Sequence, residues 1–230
     1  MSHAGRLGIL GGTFDPIHFG HLDATDAARA ALALDEMLLI PAHDPPHRSV
    51  DPRASTYHRF ALVSLAIANR QGYRVSDVEV VRPGPSYTAD TLRDLQAHGW
   101  QASQLFFILG TDAFSEIATW YAFPALLDLA HFVVIARPGT TIEQATDRVP
   151  ALRPRVCTPA GVPGDLTGAT RIVLVEARTR DVSSTVIRRR VAAAQRIDDL
   201  VPASVAQHIL TNRLYGAVGN LHGKEHRGER

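Results

Sequence analysis

Only one cysteine, Cys157, occurs among the 230 residues of the chain. A single thiol excludes an internal disulfide and any four-cysteine zinc site. A reducing, cytoplasmic setting is the expectation that goes with it. An excess of one charge is lacking too: 24 Lys and Arg stand against 23 Asp and Glu, a formal net charge of +1. No global basic field therefore points to nucleic acid as a partner. No apolar run approaches the ~20 residues that cross a bilayer, and residues 1–6 carry no signal-peptide apolar region. No membrane partner is expected. Internal repeats are absent. What is present is a composition 45% hydrophobic, usual for a soluble globular protein, on a length that suits one sizeable α/β domain or two small ones.

Apolar β-type runs alternate with helical patterns along the chain. Strands are expected at residues 7–10, 37–40, 75–81, 105–109, 132–136 and 172–175, and helices at 22–34, 57–69, 88–98, 124–129, 186–194 and 205–214. This alternation predicts an α/β fold: a Rossmann-like open, mostly parallel sheet with helices on both faces and a small C-terminal helical region, about 183–216. Residues 1–216 are expected to form a single domain. Residues 140–170 are rich in Pro and Gly, and a structureless loop of that length is unusual, so a helix is expected within 142–152. Residues 217–230 read as a disordered tail, with His222 and His226 as solvated side chains rather than metal ligands. Ligands of open parallel sheets bind beyond the carboxyl ends of the strands, where Gly11, Pro41 and Gly110 fall.

Two segments carry chemistry. The first is Gly11-Gly12-Thr13-Phe14-Asp15-Pro16-Ile17-His18-Phe19-Gly20-His21. A strand that breaks at Gly-Gly and re-enters as a helix leaves open backbone N–H groups, a ready seat for phosphate. His18 and His21, one turn apart, can donate to phosphate oxygens, more strongly when protonated. The Lys of a Walker motif is missing, so this is not a P-loop. Asp15 can also serve simply to fix the turn. The second segment is Val182-Ser183-Ser184-Thr185-Val186-Ile187-Arg188. Ser183 and Ser184 are good helix N-caps, and capping alone would account for them. Arg188, one turn in, shares a face with Ser184, so hydroxyls, N–H groups and a guanidinium would point one way, as suits outer phosphates.

The first segment resembles the signature of the nucleotidyltransferase superfamily, Gly-x-Phe-Asp-x-x-His-x-Gly-His, and the second resembles its partner, Ile-Ser-x-Thr-x-Ile-Arg, with Val182 in place of the commoner Ile. The first signature alone would also admit pantetheine-phosphate adenylyltransferases and cytidylyltransferases. Four further segments resemble bacterial nicotinate-nucleotide adenylyltransferases: Pro45-Pro46-His47-Arg48, Ser86-Tyr87-Thr88-Ala89-Asp90-Thr91-Leu92, Phe107-Ile108-Leu109-Gly110-Thr111-Asp112 and Thr119-Trp120-Tyr121. The closing stretch from Val201-Pro202 to Tyr215 is similar as well, and the likeness runs over roughly residues 6–215.

That resemblance implies adenylyl transfer from ATP to nicotinate mononucleotide, giving deamido-NAD and pyrophosphate, with Mg2+ held mainly by ATP phosphates and water. It implies that Gly11, Gly12, Thr13, Phe14, His18, His21, Gly110, Asp112, Ser183, Ser184, Thr185 and Arg188 serve ATP, with His18, His21 and Arg188 at the reacting phosphates. Asp112 would meet an adenosine ribose. Asp15, His47, Arg48, Ser86, Tyr87, Thr88, Trp120 and Tyr121 would serve the mononucleotide. Trp120 would stack on the pyridine ring, Arg48 would meet the phosphate, and Thr88 and Tyr121 would offer backbone N–H groups to the carboxylate. No protein metal ligand is expected. Nicotinamide mononucleotide as acceptor, a non-catalytic nucleotide sensor on the same fold, and a homo-oligomer stay open at this point.

Overall fold

The computed structural model describes residues 5–45, 53–162 and 168–216. Seven strands form one sheet in the order β3-β2-β1-β4-β5-β7-β6, with every pairing parallel. They are β1 Leu7–Gly12, β2 Glu36–Pro41, β3 Tyr73–Val75, β4 Leu105–Gly110, β5 His131–Ala136, β6 Val156–Cys157 and β7 Ile172–Glu176. The helices are α1 Phe19–Leu32, α2 Thr56–Ile67, α3 Thr88–Ala97, α4 Thr111–Ser115, α5 Ile142–Ala145, α6 Ser184–Ala192 and α7 Ala203–Thr211.

The central strands read as unbroken apolar runs because both faces are covered. In β4, Phe106 and Ile108 face a core that also holds Leu10, Leu22, Leu62, Ile187 and Ile209, from the side of α1, α2, α6 and α7. Leu105, Phe107 and Leu109 face the opposite core with Ile9, Leu92, Phe114 and Leu126. The order reverses at β1, which pairs with β2 on one side and β4 on the other. Such a reversal opens a crevice at the carboxyl ends of the strands.

Two local expectations are corrected, a third is met by a single helical turn, and one strand is new. The strand expected at 75–81 is only Tyr73–Val75. Ser76 makes the last bond to β2, and its hydroxyl then accepts the Val78 N–H at 3.3 Å, turning the chain away. The helix expected at 124–129 is a 3-10 turn, Ala125–Asp128. The helix expected within 142–152 is a single turn, Ile142–Ala145, followed by a 3-10 segment, Pro150–Arg155, whose Pro150 and Pro154 cannot sustain an α-helix. An edge strand, β6, was not anticipated; its two residues are too short to leave a period. Residues 217–230, read as a tail, lie outside the described residues. No helix among the described residues is long and apolar enough to cross a membrane.

Candidate active site

At the switch point lies a cleft of about 680 Å3. Leu10, His18, Gly20 and His21 line one side, Gly110, Thr111 and Asp112 the end of β4 and start of α4, and Arg137, Arg178 and Arg180 the ends of β5 and β7.

His18 is the N-cap of α1, which begins at Phe19, three residues ahead of the expected helix start. Its backbone N–H donates to Nδ1 of His21 at 3.2 Å. A neutral His21 must then carry its proton on Nε2. The two rings stack at 3.7 Å between centroids, and Phe14 meets the His21 ring edge-on at 5.2 Å. Gly20 lets them pack: a Cβ there would lie 3.0 Å from the Arg180 carbonyl oxygen and 3.2 Å from His18 Nδ1. His18 is 7% exposed. Burial lowers its pKa to about 4, against an opposing pull from the Asp23 carboxylate. Without a ligand, then, His18 is neutral at physiological pH. Its Nδ1 is buried and has no hydrogen-bond partner, a state that costs about 1–3 kcal/mol until a ligand satisfies it.

Arg180 stands across from this pair. Its Nε and Nη2 donate to the two oxygens of Asp23 at 2.9 and 2.7 Å, and its guanidinium lies 3.8 Å from the Phe19 ring centroid. The bonds from Arg180 hold the Asp23 carboxyl below the usual carboxylate range.

The second segment reaches the first through the loop between β1 and α1. Ser183 caps α6, accepting the Val186 N–H at 3.3 Å. Ser184 Oγ donates to the Pro16 carbonyl at 2.8 Å, and Arg188 Nη1 to the Asp15 carbonyl at 2.7 Å. Thr185 Oγ1 accepts from Arg188 Nη2 at 3.2 Å. The guanidinium does not, however, line the cleft of His18 and His21. It lines a second cavity, of about 610 Å3, with Arg53, Thr185, Arg189, Tyr215 and others. The second signature braces the loop that the first one forms: Val182 reaches the cleft of His18 and His21, while Arg188 holds the loop from the side of the second cavity. Asp15 sits inside that loop, 1% exposed. Its carboxylate accepts the N–H groups of Arg53 and Ala54 at 2.9 and 3.1 Å. That is the turn-fixing role; the mononucleotide contact expected of Asp15 is not what its burial favours. The Tyr215 hydroxyl nearby is pushed up in pKa by burial and by the Asp15 charge.

The remaining predicted residues gather beside the Gly11 end of β1. A Cβ on Gly11 would lie 3.4 Å from the ring of Phe107, whose edge meets Trp120 at 6.1 Å between centroids. Tyr87 and Tyr121 pack at 4.6 Å, with Tyr121 51% exposed. Ser86 Oγ accepts the His43 N–H at 2.9 Å, tying the loop after β2 to the start of α3 at Thr88. Gly12 and Thr13 close β1, a Cβ on Gly12 falling 3.2 Å from the Phe14 ring. His47 and Arg48 lie outside the described residues. The described residues contain no group of three or more His, Cys, Asp or Glu able to hold a metal.

Reading the sequence missed Arg137, Arg178 and Arg180 in the cleft, and Arg59 behind it. For Arg178 and Arg180 the only signal is a pair of cations just past the last strand. Arg59 had a better one: it shares the helical period of the buried Leu62, Val63 and Ala66.

Residues 9–190 match the family described as cytidylyltransferase-like, so fold and site place the chain in the nucleotidyltransferase class. Among curated proteins, one from Citrifermentans bemidjiense is 39% identical over 212 residues, covering 91% of this chain and 98% of the relative. One from Roseiflexus sp. is 41% identical over 211 residues, covering 91% and 97%. Both carry the name "Probable nicotinate-nucleotide adenylyltransferase". The chain belongs to the nicotinate-nucleotide adenylyltransferase family. Among solved structures, the Plasmodium falciparum nicotinic acid mononucleotide adenylyltransferase complexed with NaAD superimposes with a TM-score of 0.70 at 18% identity, covering 94% of this chain and 99% of that one, a likeness of fold.

Proposed function

We propose that the chain transfers the adenylyl group of ATP to nicotinate mononucleotide, giving deamido-NAD and pyrophosphate. The observation that carries this reading is an identity of about two in five residues over nearly the full length of relatives so named. The cleft at the switch point supports it.

In this reaction a phosphate oxygen of the mononucleotide attacks the α-phosphorus of ATP. The bond from that phosphorus to the bridging oxygen breaks, and pyrophosphate leaves with the electron pair. The attacking oxygen is already ionised at neutral pH, so no strong base is needed; alignment and charge stabilisation suffice. His21, with its proton on Nε2, and His18, with a buried unpartnered nitrogen, serve the phosphates from the start of α1. The backbone of Gly11, Gly12 and Thr13 lies beside them, and Phe14 backs the His21 ring. Arg180 offers Nη1, because Asp23 takes Nε and Nη2. Asp112, at the cleft wall beside Gly110, suits the vicinal hydroxyls of a ribose. Ser184 and Arg188 hold the phosphate loop in place through Pro16 and Asp15, while Ser183 caps α6 and Thr185 orients the Arg188 guanidinium.

The mononucleotide lies on the side of Ser86, Tyr87, Thr88, Trp120 and Tyr121; the roles of His47 and Arg48 rest on the sequence resemblance alone. The start of α3 at Thr88 favours the nicotinate carboxylate. Mg2+ enters with ATP, held by phosphate oxygens and water, and offsets charge on the polyphosphate. A cytoplasmic setting goes with these substrates.

Purified protein given ATP, Mg2+ and nicotinate mononucleotide is expected to form deamido-NAD and pyrophosphate in equal amounts. Pyrophosphate release no faster than in a blank contradicts the proposal. Parallel specificity constants with nicotinamide mononucleotide test the choice of acid over amide.

A further inference from the structure

Arg59 is the largest side chain among those less than 2% exposed, and it lies on the core face of α2 among aliphatic residues. Taking a guanidinium out of water costs several kcal/mol unless good hydrogen bonds compensate. Here they do, and their destinations are informative. Nη1 donates to the Thr13 carbonyl at 2.8 Å and to the Ala42 carbonyl at 2.6 Å. Nη2 donates to the His43 carbonyl at 3.2 Å and to Thr56 Oγ1 at 3.0 Å, and Nε to the Ala54 carbonyl at 3.3 Å. Thr13 belongs to the loop that leads into His18 and His21. Ala42 and His43 follow β2, and the His43 N–H is held by Ser86 on the proposed mononucleotide side. Ala54 donates its own N–H to the Asp15 carboxylate. One planar fork thus sets the spacing of two loops that β1 and β2 deliver separately.

We propose that Arg59 is a positioning residue for adenylyl transfer: it fixes the loop that serves ATP relative to the loop that serves the mononucleotide. The inference rests on the function proposed above. In-line attack needs the reacting atoms about 3–3.5 Å apart, and a 1 Å misplacement can cost about 10²-fold in rate. An aliphatic residue would fill the helix position but would leave four loop carbonyls without a common donor. Lysine keeps the charge yet presents one nitrogen, which cannot span carbonyls that the guanidinium reaches through three.

The test is Arg59→Lys, read as a split between turnover and binding. Turnover is expected to fall about 10-fold or more, while the Kd for ATP alone, by direct titration, stays within about threefold of wild type. A purely structural role would lower the melting temperature and leave turnover per folded molecule unchanged. Folded Arg59→Lys with turnover within about twofold of wild type overturns the proposal, as does a loss matched in full by weaker ATP binding. If Arg59→Lys does not fold, Thr56→Val decides. It removes only the hydroxyl that orients Nη2, and it should lower turnover several-fold with ATP binding unchanged; wild-type turnover there overturns the proposal. A wild-type protein that makes no deamido-NAD would fail the functional reading instead, which separates the two.

Discussion

His18 and His21 stand three residues apart on one helix start, yet their settings differ. His21 has a donor on Nδ1 and presents Nε2, whereas His18 is buried and neutral with a nitrogen left open. His21→Ala removes the proposed phosphate donor together with a ring that packs on Phe14. Turnover should fall roughly 10²-fold, the usual size of a lost oxyanion donor, with the far-UV circular dichroism unchanged; a folded variant with wild-type turnover contradicts the role. For His18 the readout is its own titration. Followed by NMR on the free protein, the imidazole should have a midpoint near 4. Bound ATP brings negative charge to the ring and should move that midpoint upward. A midpoint near 6.5 in the free protein would mean that the ring is hydrated and the burial wrong.

At the scale of elements, α6 shows two serines with different duties. Ser183 caps its own helix, and Ser184 holds the Pro16 carbonyl of the β1–α1 loop. Ser183→Ala should lower stability by about 1 kcal/mol and spare turnover. Ser184→Ala should cost a similar amount, about 0.5–1.5 kcal/mol, and reduce turnover as well. Thermal unfolding and steady-state rates together check this; equal rates for both variants would show that the contact does not reach the site. What was legible in the sequence follows the same division. Strands β1, β2, β4, β5 and β7 declared themselves because strands buried on both faces are apolar throughout. The loop from Gly11 to His21 was legible because turn, cap and phosphate chemistry each demand particular residue types. Within 142–152 loop length alone pointed to a helix, and one turn of it forms at Ile142–Ala145 before Pro150. Helical period could mark Arg59 as buried, but its meeting with Thr13, 46 positions away, and that of Arg180 with Asp23, 157 positions away, are encoded by no local pattern.

Over the whole molecule, burial of imidazoles sets the response to acid. Desolvation lowers both His18 and His131 to about 4. An unfolded chain binds protons at these sites near 6.5, so it gains protons over the folded one as pH falls below that value. Stability is therefore intact above about 6.5 and is lost on the way down to about 4. Each group accounts for as much as roughly 3 kcal/mol at the acid end. Glu79 runs the opposite way, since burial raises its carboxyl, and it acts mainly nearer the carboxylate range. Urea midpoints between pH 7.5 and 5 should decline for the wild type and decline less for His131→Gln. A flat wild-type profile contradicts the shifts.

The contacts of Ser184 with Pro16 and of Arg188 with Asp15 close over sequence separations of 168 and 173. During synthesis, the glycine turn and both imidazoles emerge from the ribosome long before their braces exist. A nascent chain halted just ahead of α6 holds all seven described strands and a glycine turn with a slack rim. Full bracing of the site thus arrives late in translation, with the final helices.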